Sequence, residues 1–394
     1  MGIVEGHCDA RFASVREIFE QSFASGEEIG AAIAFCVDGE LVIDVWGGHH
    51  DVARTIPWRR DTLVNTFSTT KGMTAICAHQ LVERGLLDLD APVARYWPGF
   101  AANGKDAIPV RWLLSHQAGL PAVRAPLPAE ALYDWNAMTA ALAAQEPWWE
   151  PGTRHGYHAL TFGHLVGEVI RRASGKTVGA WFREHVAGPL GADFHIGCGP
   201  ELDEHISPLH GSLAPPPGPG GGPLSLPGPL GQFLKDMMDP STMTGAAFLN
   251  PPGGPDRHNT RAWRAAEIPA ANGHGTATAL ARIYGALARG GTLDGVRLLA
   301  PESIARAREE QAFGPDAVLG GLPMRFGLGF MLRHDFMPIA PSANAFGHPG
   351  AGGSIGMADP DAKVGFGYVM NKMKLGLVGG ATAFAVLREF YARL

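Results

Sequence analysis

Apolar positions recur at helical spacing through residues 12–25 (Phe12, Val15, Ile18, Phe19, Phe23), which predicts an amphipathic helix. The pattern then changes period. From Ile29 to Gly48 two β-rich runs flank Asp38-Gly39, a dipeptide suited to a two-residue hairpin turn. A second helical stripe covers 68–84, with Met73, Ile76, Cys77 and Leu81 on one face and Gly85 as the stop. Residues from about 108 to 245 read as mainly helical with long loops. The best-formed helix there lies near 159–173, where Phe162, Leu165, Val166, Val169 and Ile170 make one stripe before Gly175.

Two breaker clusters interrupt this region. The stretch 213–231 is too rich in Pro and Gly for regular structure and reads as a lid or site border, or as plain disorder. NPPGGPD at 250–256 closes it. Helical patterns return at 276–289, ended by Gly290-Gly291, and at 301–311. Strand patterns follow at 325–333, 345–360 and 363–373, and 380–394 reads as a terminal helix. No internal repeat is visible. Strands at both ends of a chain commonly join one antiparallel sheet. The expected organisation is therefore a single unit with an α/β lobe from about 1–66 and 275–394 and a mainly helical lobe from about 67–274. A cleft between lobes is the default place for chemistry.

Composition narrows the classes. Apolar residues make up 46% and charged residues 18%, which gives a globular chain with a large core. A net charge of -6, dispersed along the chain, offers no reason to expect nucleic acid or an anionic membrane. The first twenty residues do not read as a signal peptide, and no apolar run is long enough to span a bilayer. The four cysteines are far apart in sequence and fit free thiols in a reducing cytoplasm. Of these, Cys36 and Cys77 sit in apolar runs as small core residues.

Candidate chemistry begins at Ser68-Thr69-Thr70-Lys71. Residues three apart share a helix face, so the amine can reach the hydroxyl. A serine needs a base to become a nucleophile, and lysine serves only where burial or a neighbouring cation lowers its pKa. The plain alternative is Ser68 as a helix N-cap with Lys71 solvated. Tyr157, in the loop Gly152–Ala159, could relay a proton, or could simply pack beneath that loop. Phe346–Ser354 is a glycine-rich strand entry that would let the backbone approach a ligand and offer an N–H to an oxyanion.

Three motifs in order, STTK at 68–71, Tyr157 in its loop and HPG at 348–350, resemble those of the β-lactamase-related serine hydrolases. The likeness is strongest to the class C β-lactamase-like carboxylesterases called family VIII. It extends through LVNTFSTTKGMTA, LLDLDAPVARYWPGF, VRWLLSHQAGLP and WWEPGTRHGYHALTFGHLVGEVI, and so covers nearly the whole chain. The resemblance implies an α/β (α+β) fold of the β-lactamase/DD-peptidase type, an antiparallel sheet flanked by helices with a mainly helical lobe. It further implies Ser68 as acyl-enzyme nucleophile, Lys71 as base and Tyr157 as partner in proton transfer. By the same likeness the backbone N–H groups of Ser68 and Ala351 form the oxyanion hole, and His348 and Gly350 line the site. No cofactor or metal is implied.

Two departures bear on substrate. The tyrosine motif of class C β-lactamases ends in asparagine, where this chain has Ala159, and the lysine of their lysine-threonine-glycine triplet is His348. Both lower the expectation of β-lactam turnover and leave a neutral ester unaffected. The expected activity is hydrolysis of short-chain esters. A weak β-lactamase, a D-amino-acid peptidase or amidase, an acyltransferase and a catalytically silent ligand-binding protein stand as alternatives, and a homo-oligomer stays open.

Several motifs are set aside. Gly352–Gly356 matches G-x-S-x-G, but no histidine follows Ser354 as that triad order requires. Gly175-Lys176-Thr177 reads as a helix-ending turn. Although the chain has 16 histidines, His155, His158 and His164 do not share a helix face with a carboxylate, and His116 reads as a structural, hydrogen-bonded residue. The tryptophans, Trp148 and Trp149 among them, read as core and cleft wall.

Overall fold

The computed structural model describes residues 4–211, 227–254, 256–374 and 379–394. Asp38 and Gly39 both take positive φ (47° and 100°), the turn geometry expected between Gly30–Val37 and Glu40–Gly48. This hairpin lies in a nine-stranded antiparallel sheet. The spatial order is Val4–Cys8, Glu40–Gly48, Gly30–Val37, Val364–Met370, Ile355–Asp359, Phe346–Pro349, Met331–Leu332, Pro323–Phe326, Ala312–Pro315. The seam joining the two ends of the chain sets Phe35 opposite Phe366 and Ile33 opposite Tyr368.

Each face of this sheet is covered by the helices that the periodicity predicts. On one side Ala13–Ala24 and Ala381–Arg393 pack through aromatic rings, with Phe390 stacked at 3.9 Å on Phe35 and 4.7 Å on Phe12. On the other side Ala277–Ala288 lies close against two strands. A Cβ on Gly365 would stand 2.1 Å from the Gly285 nitrogen, so only glycine admits the helix at that distance.

The helix read at 68–84 is Thr70–Glu83, and it is buried on every side from Thr70 to Leu81 rather than along one stripe. Its polar residues find buried partners: Thr74 donates to the Pro269 carbonyl at 2.6 Å, and His79 pairs with the Leu328 carbonyl at 3.0 Å. Beside it runs Thr161–Ser174, ended by Gly175 at φ 73° as expected. The strand reading of 325–333 is interrupted, because Gly329 (φ 89°) turns the chain so that its N–H reaches the Leu114 carbonyl. The helical reading of 301–311 stops at Ala307. A four-stranded sheet of short segments, Phe194–Ile196, Gly273–Gly275, Leu63–Asn65 and Ile206–Ser207, was not expected from the pattern. Most of the 213–231 stretch lies outside the described residues, and its end, from Gly228, begins a helix rather than a loop.

No helix among the described residues is long and apolar enough to cross a membrane.

Candidate active site

Ser68 sits in a turn between the strand Leu63–Asn65 and the helix beginning at Thr70, not as that helix's cap. Phe67, just before it, is held at φ 43°, a left-handed conformation uncommon for a bulky residue. Thr70 secures the turn twice: its hydroxyl donates to the Phe67 carbonyl at 2.5 Å and accepts from the Gly273 N–H at 2.8 Å. The Lys71 N–H donates to the Ser68 carbonyl at 2.9 Å.

Lys71 is fully buried, which removes the reading of a solvated lysine. Its Nζ lies 3.2 Å from Ser68 Oγ and donates to the carbonyls of Ala159 (2.8 Å) and Ala270 (3.0 Å). No carboxylate is paired with it among the described residues, and burial alone drives its pKa well below the usual lysine value. Two N–H groups are thus spent on carbonyls, and the amine's remaining position faces the serine hydroxyl. Sequence reading could not supply the two carbonyls, because any residue type presents one.

The Tyr157 ring lies 4.7 Å from Lys71 Nζ. Burial raises the phenol's pKa far above its usual value, hydrogen bonding with Ser68 opposes that rise, and Asp316 adds to it. The loop is fixed by a residue the sequence did not flag. Buried Asp316 accepts through Oδ1 from the N–H groups of Tyr157 (3.0 Å), Val318 (2.9 Å) and Leu319 (2.9 Å). Its Oδ2 stands 3.9 Å from His155 Nε2. Nothing in the sequence pattern around residue 316 signals this role.

The opposite side comes from the connection after Phe346–Pro349. A Cβ on Gly350 would meet the Thr66 carbonyl oxygen at 2.1 Å, so glycine is what lets this turn press against the segment leading into Ser68. Ala351 follows on the cavity wall beside Ser68. Among the described residues, neither the Ser68 N–H nor the Ala351 N–H has a backbone acceptor. Holding an oxyanion requires spare backbone donors of this kind beside the nucleophile.

His348 and Gly350, expected to line the site, belong to the strand Phe346–Pro349 and to the turn after it that presses on Thr66. The His348 ring is 6.1 Å from Tyr157, its Nδ1 pairs with the Pro349 carbonyl at 2.7 Å, and its Nε2 has no partner. Burial, with Lys71 adding to it, lowers its pKa to about 3, so the imidazole is neutral at ordinary pH.

The motifs set aside have structural places. Ser354 Oγ donates to the Thr66 carbonyl at 2.7 Å, deep under the turn. His116 accepts the His158 N–H on Nδ1 at 3.1 Å. His158 itself holds the Leu120 N–H (3.2 Å) and the Gly156 carbonyl (2.7 Å), while His164 packs on Trp135. No group of three or more His, Cys, Asp or Glu among the described residues is placed to hold a metal ion.

A cavity of about 280 Å³ opens beside Ser68, walled by Leu160, Met237, Met238, Phe248, Leu249 and Trp263. A larger hollow near Trp46 and Arg282 is remote from these groups.

A serine with a buried amine three residues on, set between a sheet and a helical layer, accords with the class of serine hydrolases. Within that class the chain belongs to the beta-lactamase family, whose sequence profile (Beta-lactamase) matches residues 15–387. It is 38% identical over 383 residues to the esterase/beta-lactamase LipL of Mycobacterium tuberculosis, covering 95% of this chain and 84% of that one. The crystal structure of a family VIII carboxylesterase superposes with a TM-score of 0.88 at 41% identity, over 99% of this chain and all of the other. A penicillin-binding protein homologue from Caulobacter crescentus gives 0.89, also at 41% identity and with the same coverage. The resemblance read from the three motifs and the α/β (α+β) fold it implied are both borne out.

Proposed function

We propose that the protein is a serine carboxylesterase that hydrolyses short-chain esters through an acyl-enzyme on Ser68. The observation that carries this reading is the setting of Lys71: buried, with no carboxylate paired to it among the described residues, with two carbonyls accepting from it and its nitrogen 3.2 Å from Ser68 Oγ. As Ser68 Oγ bonds to the ester carbonyl carbon, its proton passes to Lys71. The oxyanion is received by the N–H groups of Ser68 and Ala351. Collapse breaks the bond to the alcohol oxygen, which takes a proton delivered through Tyr157 and Lys71. Water then repeats the sequence in reverse, releasing the acid and restoring the serine.

Ester rather than amide is supported by Ala159 standing where an amide-binding asparagine would be, and by neutral His348 in place of a lysine. The names of LipL and of the family VIII enzyme agree with it. In this reading the chain is one hydrolase unit, its sheet strands drawn from residues 4–48 and 312–370. A reducing, cytoplasmic setting is supported by four free cysteines, three of them buried.

The test is turnover of p-nitrophenyl butyrate by wild type and Ser68→Ala. A loss on the order of 10⁴-fold or more is expected, and undiminished turnover in the variant rejects the assignment. Competing alcohols or amines, with product analysis, separate hydrolysis from acyl transfer and amidase action. Failure to label with a fluorophosphonate would indicate a silent binding protein instead.

A further inference from the structure

Three polar groups on the wall of the Ser68 cavity have no part in acyl-enzyme chemistry. Trp263 is 1% exposed, and its indole N–H has no acceptor among the described residues. His258 is 6% exposed, and its Nε2 has no partner among the described residues. Arg257 donates to the carbonyls of Phe248 and Pro251, each at 3.1 Å, which leaves three of its five N–H groups without an acceptor among the described residues. No described carboxylate forms an ion pair with it, and residues 1–3, 212–226, 255 and 375–378 contain no Asp or Glu.

Burying two ring nitrogens without partners is costly unless something in the working state satisfies them, and beside them the half-buried Arg257 keeps N–H groups to spare. The arrangement is also held in place before any ligand arrives. A Cβ on Gly253 would stand 2.4 Å from Arg257 Cδ, so that glycine makes room for the arginine stem. Asn250 anchors the segment by donating to the carbonyls of Val123 and Ala125. The guanidinium carbon lies 5.7 Å from the Trp263 ring centre, which brings the cation and the indole side chain together. A guanidinium stays charged at any pH an enzyme meets, and its planar fork matches a carboxylate.

We infer that Arg257, His258 and Trp263 form a subsite for a carboxylate carried by the substrate, so that the preferred substrates are carboxylate-bearing esters such as half-esters of dicarboxylic acids. This rests on the esterase reading of Ser68. The bond broken is still the ester C–O bond; the carboxylate is held, not transformed.

Two substrate pairs test it and locate the charge. Ethyl hydrogen adipate against ethyl hexanoate places the carboxylate in the acyl half, and carboxymethyl butyrate against ethyl butyrate places it in the alcohol half. Acid release is followed by pH-stat. In at least one pair the wild type favours the charged ester in kcat/KM by about tenfold or more, through KM, and Arg257→Gln removes most of that preference. Arg257→Lys restores part of it. Neutral esters preferred or equal in both pairs, or a preference that Arg257→Gln leaves in place, overturns the subsite. Calorimetric binding of both ester pairs to Ser68→Ala decides the matter without turnover. Tighter binding of the charged ester in at least one pair supports the subsite even if the wild type hydrolyses no ester, which would sink the esterase reading alone. Equal binding within both pairs overturns the subsite even if turnover is high. If Arg257→Gln does not fold, the wild-type preference and the calorimetry give the answer.

Discussion

At the scale of single residues, Lys71 carries a cost that only its chemistry explains. Burial lowers its pKa well below the unfolded value of 10.5. Between those two pKa values the unfolded chain binds a proton that the folded site rejects, so stability rises with pH across that window, by ~1.4 kcal/mol per pH unit, and levels off above 10.5. Lys71→Met lacks this slope. Denaturant unfolding between about pH 7 and about pH 9 should therefore show wild type gaining on the variant as pH rises. Parallel slopes would mean that the amine is charged in the folded protein. Esterase activity of the variant should be lost, since methionine cannot take the Ser68 proton. The S-x-x-K spacing was legible because a helical turn sets it locally. The lysine's burial, which lowers its pKa, was not, since the segments that enclose it include Ala159 and Ala270, 88 and 199 residues away.

At the scale of elements, the Tyr157 loop is shaped by one carboxylate outside it. Asp316→Ala leaves three N–H groups without their acceptor, for a cost on the order of 3 kcal/mol. It also frees the backbone that aims the phenol. We expect kcat to fall by about 10²-fold with KM changed far less, while Asp316→Asn, which keeps an oxygen acceptor, retains most of the activity. Equal loss in both variants would show that the charge, not the acceptor, matters. The longer elements were readable from periodicity: the hairpin at Asp38-Gly39, the helix ended by Gly175 and the terminal helix all fall where the pattern puts them. The strands Leu63–Asn65 and Gly273–Gly275 were not, because three residues are too few to show a period and their partners are remote in sequence. Arg257 and Trp263 lay beside a cluster of Pro and Gly that reads as an interruption, and nothing in that composition marks a cavity wall.

Across the whole molecule, buried neutral histidines set the acid limit. His158, His274 and His348 are lowered to about 3 and His164 to about 4, chiefly by burial, against an unfolded value of 6.5. Below 6.5 the unfolded chain takes up protons that these folded sites refuse, so stability falls as pH drops toward the folded values. With four such groups the slope approaches ~5 kcal/mol per pH unit, and cooperative unfolding is expected within roughly two pH units below neutrality. Circular dichroism against pH checks this; a protein still folded at about pH 3 would contradict it. By itself the sequence determined the order of the longer helices and strands, the family and the serine–lysine spacing. Each is written in contacts a few residues apart or in motifs that keep their order along the chain. Only the tertiary structure decided that Lys71 is buried without a counter-ion, that the Ser68 and Ala351 N–H groups are both left spare, and that Arg257 faces the same cavity. Charge state and site geometry depend on what surrounds a group in space, and that surrounding is assembled from segments whose separation along the chain carries no trace of it.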